Sequence, residues 1–171
     1  TRRAAAEMLE RAAELVGGTA HRVRGGTFHA FANRVLREHA PAIGLERSFT
    51  ILDSSDAEAL VGLCRNELGI GGRGRRFPKR GTLLKMISKQ INTGAELFDI
   101  LEKSYPQYLD DADDIERIGD LYRQRKRQRN VVDYDDLLVL LLELLIEQPE
   151  VRAKVTRDCR YVLVDEYQDT N

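Results

Sequence analysis

Tyr161-Val162-Leu163-Val164-Asp165-Glu166-Tyr167-Gln168-Asp169-Thr170-Asn171 is the stretch on which the reading of this chain turns. Four residues of strand-forming type run straight into an Asp-Glu pair. A short, continuous apolar run bounded by polar residues is the pattern of a buried strand in a parallel sheet. Ligands of open α/β sheets bind outside the carboxyl ends of their strands, where Asp165 and Glu166 would stand. A carboxylate in that place can hold Mg²⁺, which takes oxygen ligands and keeps several waters. A second carboxylate beside it can orient or deprotonate a water that attacks a phosphate. The pair alone also fits a strand running into an acidic loop; the longer string is more specific.

Outward from that stretch the pattern becomes helical. Pro149 at a first helical position starts a short helix ahead of the Tyr161 strand. Leu137 to Ile146 is almost all leucine and reads as a helix buried on most sides. It follows Asn130-Val131-Val132-Asp133-Tyr134-Asp135-Asp136, where Asp133 is a natural N-cap and Asp135 and Asp136 lie in the positive first turn. A long helix over about 110–128 starts acidic and ends basic, the order that complements the helix dipole. Helices are also expected over 82–92, around Leu97–Leu101, and from an N-cap in Asp53–Asp56 through Leu68, with Leu60, Leu63, Cys64 and Leu68 facing a core. Phe49–Leu52 reads as a short extended piece.

Between two of these helices lies a glycine-rich loop, Gly69 to Gly81. It carries Arg73, Arg75, Arg76, Lys79 and Arg80 with no acid, which suits either a solvated loop or a phosphate-contacting one. Near the start, residues 4–16 form an alanine-rich helix stopped by Gly17-Gly18. Val23–Thr27 reads as a strand and His29–His39 as a helix, joined through Gly26-Thr27-Phe28-His29. Gly26 would let a ligand come close to the backbone; Thr27 and His29 can donate to phosphate oxygens, and an aromatic can stack on a base. Phe28 and Phe31 also fit core positions, and Phe31, with Val35 at helical spacing, is placed in the core. Residues 1–39 hold seven arginines against four glutamates, a mild basic footprint.

The 171 residues suffice for one domain, or one domain and part of another. Hydrophobic residues make up 42% and charged residues 32%, which suits a helical protein with solvated faces. Cys64 and Cys159 are isolated, as reduced thiols of a cytoplasmic protein would be, and form neither a disulfide framework nor a zinc site. No apolar run reaches the roughly 18 residues of a membrane span. No Gly-x-x-x-x-Gly-Lys-Ser/Thr phosphate loop occurs.

Asp165-Glu166-Tyr167-Gln168-Asp169-Thr170-Asn171 resembles motif II, the Walker B box, of superfamily 1 DNA helicases of the UvrD/Rep/PcrA type. Three further stretches agree in order. Thr1-Arg2-Arg3-Ala4-Ala5-Ala6-Glu7-Met8 is similar to motif Ia, with Arg2 where the family more often has Asn. Gly26-Thr27-Phe28-His29-Ala30-Phe31 resembles motif Ib, with Ala30 for the usual Ser. Asp133-Tyr134-Asp135-Asp136-Leu137-Leu138 resembles the Asp-Phe-Asp-Asp-Leu-Leu box upstream of motif II.

The resemblance implies a mainly α chain, in which a helical accessory domain (1B-like, residues 40–150) is inserted in a partial RecA-like α/β P-loop NTPase domain (residues 1–39 and 151–171). It implies an ATP-dependent translocase moving 3′ to 5′ on single-stranded DNA, with ATP and Mg²⁺ as cofactors. The partners would be single-stranded DNA and a duplex junction, in the cytoplasm, with DNA repair among the processes served and no membrane involved. Asp165 would hold the metal, Glu166 and Gln168 would be catalytic, and Arg2, Arg3, Thr27, Phe28 and His29 would touch DNA. Arg73, Arg75, Arg76, Lys79 and Arg80 would be a further contact to duplex. The phosphate loop is expected before Thr1 and the arginine finger beyond Asn171, so the chain alone would be an inactive, monomeric piece. Two rivals remain: a two-metal nuclease joining Asp165 and Glu166 to Asp133, Asp135 and Asp136, and a non-catalytic helicase-like DNA-binding subunit. The strands at Val23–Thr27 and Tyr161–Val164 are expected to be adjacent and parallel.

Overall fold

A computed structural model describes residues 2–17, 23–71 and 76–169, with the backbone alone at Arg2 and Asp169. The chain is mainly helical. In order it forms α1 (Arg2–Val16), α2 (Phe28–His39), β1 (Thr50–Ile51), α3 (Ser54–Glu67), α4 (Arg80–Thr93), α5 (Leu97–Ser104), α6 (Ala112–Gln128), β2 (Val131–Val132), α7 (Tyr134–Glu147) and α8 (Pro149–Asp158). Short 3₁₀ turns at Ala40–Ile43, Pro106–Asp111 and Tyr167–Asp169 fill some of the gaps.

Local chemistry sets the helix boundaries. Asp53 caps α3 by accepting from the Asp56 N–H at 2.8 Å. Gly94, with φ +64, ends α4 in the left-handed conformation that glycine adopts without a Cβ penalty. Asp133 and Asp136 close a reciprocal capping box on α7: each side chain accepts from the other's backbone N–H, at 2.9 and 3.0 Å.

The helices bury two separate cores. Helices α3 to α6 pack Leu60, Val61, Cys64, Leu83, Met86, Ile87, Leu101, Ile115, Ile118 and Tyr122 into the first. Helices α2 and α7, with Phe49 and Val132, build the second from Ala32, Val35, Leu36, Leu137 and Leu144, and α8 leans on it through Val151 and Val155. Between them lies a two-stranded parallel ladder, β1 on β2, pairing Thr50 with Val131 and Ile51 with Val132. All of the first core lies in the chain between these strands, so the ladder is the neck through which the bundle leaves and rejoins the second core. Arg37 of α2 holds the entry to β1: it stacks on the Phe49 ring at 3.7 Å and donates to the carbonyls of Arg47 and Phe49.

Several expectations are corrected. Neither Val23–Thr27 nor Tyr161–Val164 is a strand, and they are not paired. Tyr161, Val162 and Leu163 are 87%, 72% and 98% exposed. Strand-forming composition needs a neighbouring strand to accept its hydrogen bonds, and no described residues supply one at either place. The ladder forms instead at Thr50–Ile51, inside the Phe49–Leu52 piece expected to be extended, and at Val131–Val132. Helix α7 is not buried on most sides: Leu137 and Leu144 are inside, whereas Val139, Leu142 and Ile146 are exposed. One face meets α2 and α8, and at its start Asp135 accepts from Asn92 of α4 at 2.8 Å. Leu63 is 54% exposed, because the buried stripe of α3 runs through Ala57, Leu60, Val61 and Cys64 and leaves it to one side.

Candidate active site and nucleic-acid interface

The acidic turn follows α8 and the irregular Tyr161–Val164 segment. Asp165 and Glu166 form a bend, and both side chains are exposed. Glu166 has φ 49, a left-handed conformation uncommon for a residue with a Cβ. Such backbone is found at sites where a side chain must be aimed. Gln168, on the 3₁₀ turn that follows, donates its amide to the Glu166 carboxylate. One Glu166 oxygen is thus held while the carboxylate still faces solvent.

Oxygen donors that keep water access suit Mg²⁺, which binds through one or two carboxylates and completes its shell with water and phosphate. The donor set therefore fits a hydrated magnesium nucleotide. It does not fit the two-metal alternative. Among the described residues no group of three or more His, Cys, Asp or Glu side chains could hold a metal ion. Asp133 is buried and fully engaged. Its Oδ2 accepts from the Tyr122 hydroxyl at 2.7 Å and from Lys126 Nζ at 2.6 Å, and its Oδ1 caps α7.

That buried group has its own electrostatics. Burial pushes the Asp133 carboxyl up, but Lys126, the Asp136 N–H and the Tyr122 hydroxyl outweigh it and hold it below 3.8. Asp136 shares Lys126 at 2.6 Å, yet burial and the neighbouring Asp133 charge leave it raised. Burial and the adjacent Asp133 carboxylate push the Tyr122 hydroxyl far up, so it remains a neutral donor.

The second candidate surface is the start of α2. Thr27 is the N-cap, its hydroxyl accepting from the Ala30 N–H at 3.2 Å. Phe28 is 55% exposed rather than in a core, and Phe31 packs against the second core as expected. The two glycines ahead of Thr27 do different things. A Cβ on Gly25 would come within 2.9 Å of Leu9 Cγ, so that glycine admits α1. Among the described residues a Cβ on Gly26 would meet only Ala30, at 3.6 Å, which leaves its outer side open to a ligand.

His29 brings in a residue that the sequence reading passed over. Its ring meets the Tyr134 ring edge-on, with centroids 5.8 Å apart. Tyr134 is the first residue of α7 and is 47% exposed. The first turns of α2 and α7 therefore meet, and Phe28, His29 and Tyr134 offer aromatic surface there. The sequence signal was an aromatic set inside an otherwise acidic box.

Of the other candidates, Arg3 is exposed on the first turn of α1, and the Arg2 side chain lies outside the described residues, as do Arg73 and Arg75. Arg76, Lys79 and Arg80 are exposed, with Arg80 3.6 Å from Glu58. They flank buried Phe77-Pro78. Arg65, unremarked in the sequence, ties this segment down: it donates to the carbonyls of Ile70, Gly71 and Pro78 and lies 5.2 Å from the Phe77 ring centroid.

Exposed carboxylates thus stand in one place, and imidazole and aromatic faces beside helix N-termini in another. The chain belongs to the UvrD/REP helicase N-terminal domain family, whose model matches residues 1–171. It is 35% identical over 175 residues to ATP-dependent DNA helicase PcrA of Leuconostoc citreum and 37% identical over 176 residues to ATP-dependent DNA helicase UvrD1 of Mycobacterium tuberculosis. It is 30% identical over 174 residues to ATP-dependent DNA helicase PcrA of Staphylococcus aureus. Each match covers 100% of this chain and 22 to 23% of the relative, so the chain spans about a fifth of the length of these proteins. Among the described residues no helix is long and apolar enough to cross a membrane.

Proposed function

We propose that this chain is the motif Ia to motif II portion of an ATP-dependent DNA helicase that translocates 3′ to 5′ on single-stranded DNA. The observation that carries the reading is the acidic turn: Glu166 is held by the Gln168 amide and open to water, at the position of the family's motif II. Asp165 would hold Mg²⁺ through water, and a bound magnesium nucleotide would supply a phosphoanhydride with its charge partly neutralised. Glu166 would orient the attacking water and accept its proton. Gln168 can donate and accept at once, so it can link Glu166 to a phosphate or to another protein group. Thr27, Phe28 and His29, with Tyr134 beside them, would form the single-strand surface together with Arg2 and Arg3. Arg73, Arg75, Arg76, Lys79 and Arg80 would meet duplex at the junction.

The same reading assigns residues 40–150 to a helical accessory domain and residues 1–39 and 151–171 to the ATPase domain, in the cytoplasm and as a monomer. What supports an inserted unit is the closed core of α3 to α6 behind the β1–β2 neck. The nuclease alternative is disfavoured because Asp133 and Asp136 are spent on Lys126 and the cap of α7. In the intact protein, Glu166→Gln should leave ATP and single-strand binding in place and lower kcat by about 10²–10⁴. Unchanged turnover, or metal-dependent DNA cleavage lost in Asp165→Ala, would overturn the proposal. Absence of any DNA-stimulated ATPase in the unaltered protein would instead favour a non-catalytic DNA-binding subunit.

A further inference from the structure

Lys126 is 3% exposed, yet it stands in a basic stretch, Arg123 to Arg129, interrupted only by Gln124 and Gln128. It occupies the buried stripe of α6, in line with Ile115, Ile118 and Tyr122, where an apolar side chain would be ordinary. Its ammonium sits 2.6 Å from Asp133 and 2.6 Å from Asp136, and 4.4 Å from the Tyr122 ring centroid. A buried ion pair adds little stability over a well-packed apolar replacement, and fixing a geometry is one use such pairs serve. The geometry fixed here is the first turn of α7, because Asp133 and Asp136 are the two halves of its capping box. Tyr134 lies between them and meets His29.

We propose that Lys126 is a positioning residue of the single-strand surface: from within the helical bundle it sets the start of α7, and so the place of Tyr134 against His29. This rests on the reading of Phe28, His29 and Tyr134 as that surface. Lys126 reaches no ligand itself. It ties the bundle, through β2, to the helix that carries Tyr134.

The test titrates the intact protein against a fluorescent single-stranded oligonucleotide at several salt concentrations, in wild type, Lys126→Met, Tyr134→Ala and the double variant. Tyr134→Ala should weaken binding by about tenfold, the order expected for one lost base stack. Lys126→Met should weaken it by about three- to tenfold with the salt slope unchanged, since no phosphate contact is lost. In the Tyr134→Ala background the further change Lys126→Met should cost less than about twofold, because both act through one ring. Asp136→Asn, which keeps a capping oxygen but leaves Lys126 only its Asp133 partner, should lose less than Lys126→Met, and that loss should likewise vanish with Tyr134→Ala. If Lys126→Met does not fold, Tyr122→Phe removes a single hydrogen bond to Asp133 and carries the test: its smaller loss should likewise vanish with Tyr134→Ala.

Full affinity in Lys126→Met, a shallower salt slope, or equal losses in both backgrounds would overturn the inference and leave the surface reading standing. Wild-type affinity in both Tyr134→Ala and His29→Ala would overturn the surface reading, and this inference with it.

Discussion

Two acidic boxes in this chain follow short apolar runs, and their surroundings are opposite. Asp133-Tyr134-Asp135-Asp136 follows Val131-Val132; Asp165-Glu166 follows Val162-Leu163-Val164. In the first, Asp133 is 6% exposed and its oxygens accept from Tyr122, Lys126 and the Asp136 N–H. In the second, both carboxylates are exposed and Glu166 is held by a single amide from Gln168. Carboxylate spacing alone would have allowed either box to hold metal. Burial and the supply of donors separate them: the first carboxylate is saturated by its partners, and the second pair keeps oxygens open to water.

The comparison breaks most visibly at Asp133. Asp133→Ala removes the cap of α7 and strands the Tyr122 hydroxyl, although Lys126 keeps Asp136 as a partner. The two losses together should lower stability by about 2–4 kcal/mol in urea denaturation. A loss below about 0.5 kcal/mol would mean the first box is no more structural than a surface acid.

A smaller effect separates the two halves of the first box by pH. The folded pKa of Asp133 is held below its ordinary 3.8, so its contribution is present above that value and is lost as pH falls through the folded pKa. Asp136 is raised above 3.8, so its ionisation opposes folding, and stability falls as pH rises from 3.8 through its folded pKa. Urea midpoints measured across this range should therefore show Asp133→Asn losing the steep acid limb. Asp136→Asn should lose the decline just above 3.8 instead. Identical profiles for the two variants would contradict the division of labour between them.

Much of this was legible in advance, and the misses share one cause. Caps, breaks and the dipole-matched charge of α6 are local, and residues such as Asp53, Asp133 and Pro149 announce them directly. The family resemblance was carried by strings of neighbouring residues and needed no tertiary structure. Pairing is different. Nothing near Thr50 says that its partner is Val131, and nothing in Tyr161–Val164 says that no described strand lies beside it. Lys126 was obscured by its basic neighbours, although its spacing from Ile115, Ile118 and Tyr122 puts it on the buried face of α6. Tyr134 was hidden for a related reason: its partner, His29, comes from the far end of the chain.

The smallest effect is expected at the second box and is the sharpest test of its availability. Asp165 is exposed and lies on a segment whose apolar side chains are themselves largely in solvent. Removing its charge takes away no buried partner, so Asp165→Asn should shift the thermal midpoint by less than about 2 °C, the scale of an ordinary surface substitution in a chain of this size. The same change in the intact protein should weaken Mg²⁺-dependent nucleotide binding, because it converts a hard anionic oxygen donor into a neutral amide. A silent melt beside a weakened nucleotide complex is the signature of a group kept for a ligand. Were Asp165→Asn to lower the melt as steeply as Asp133→Ala, the second box would be structural too, and motif II would have to be sought in a different set of contacts.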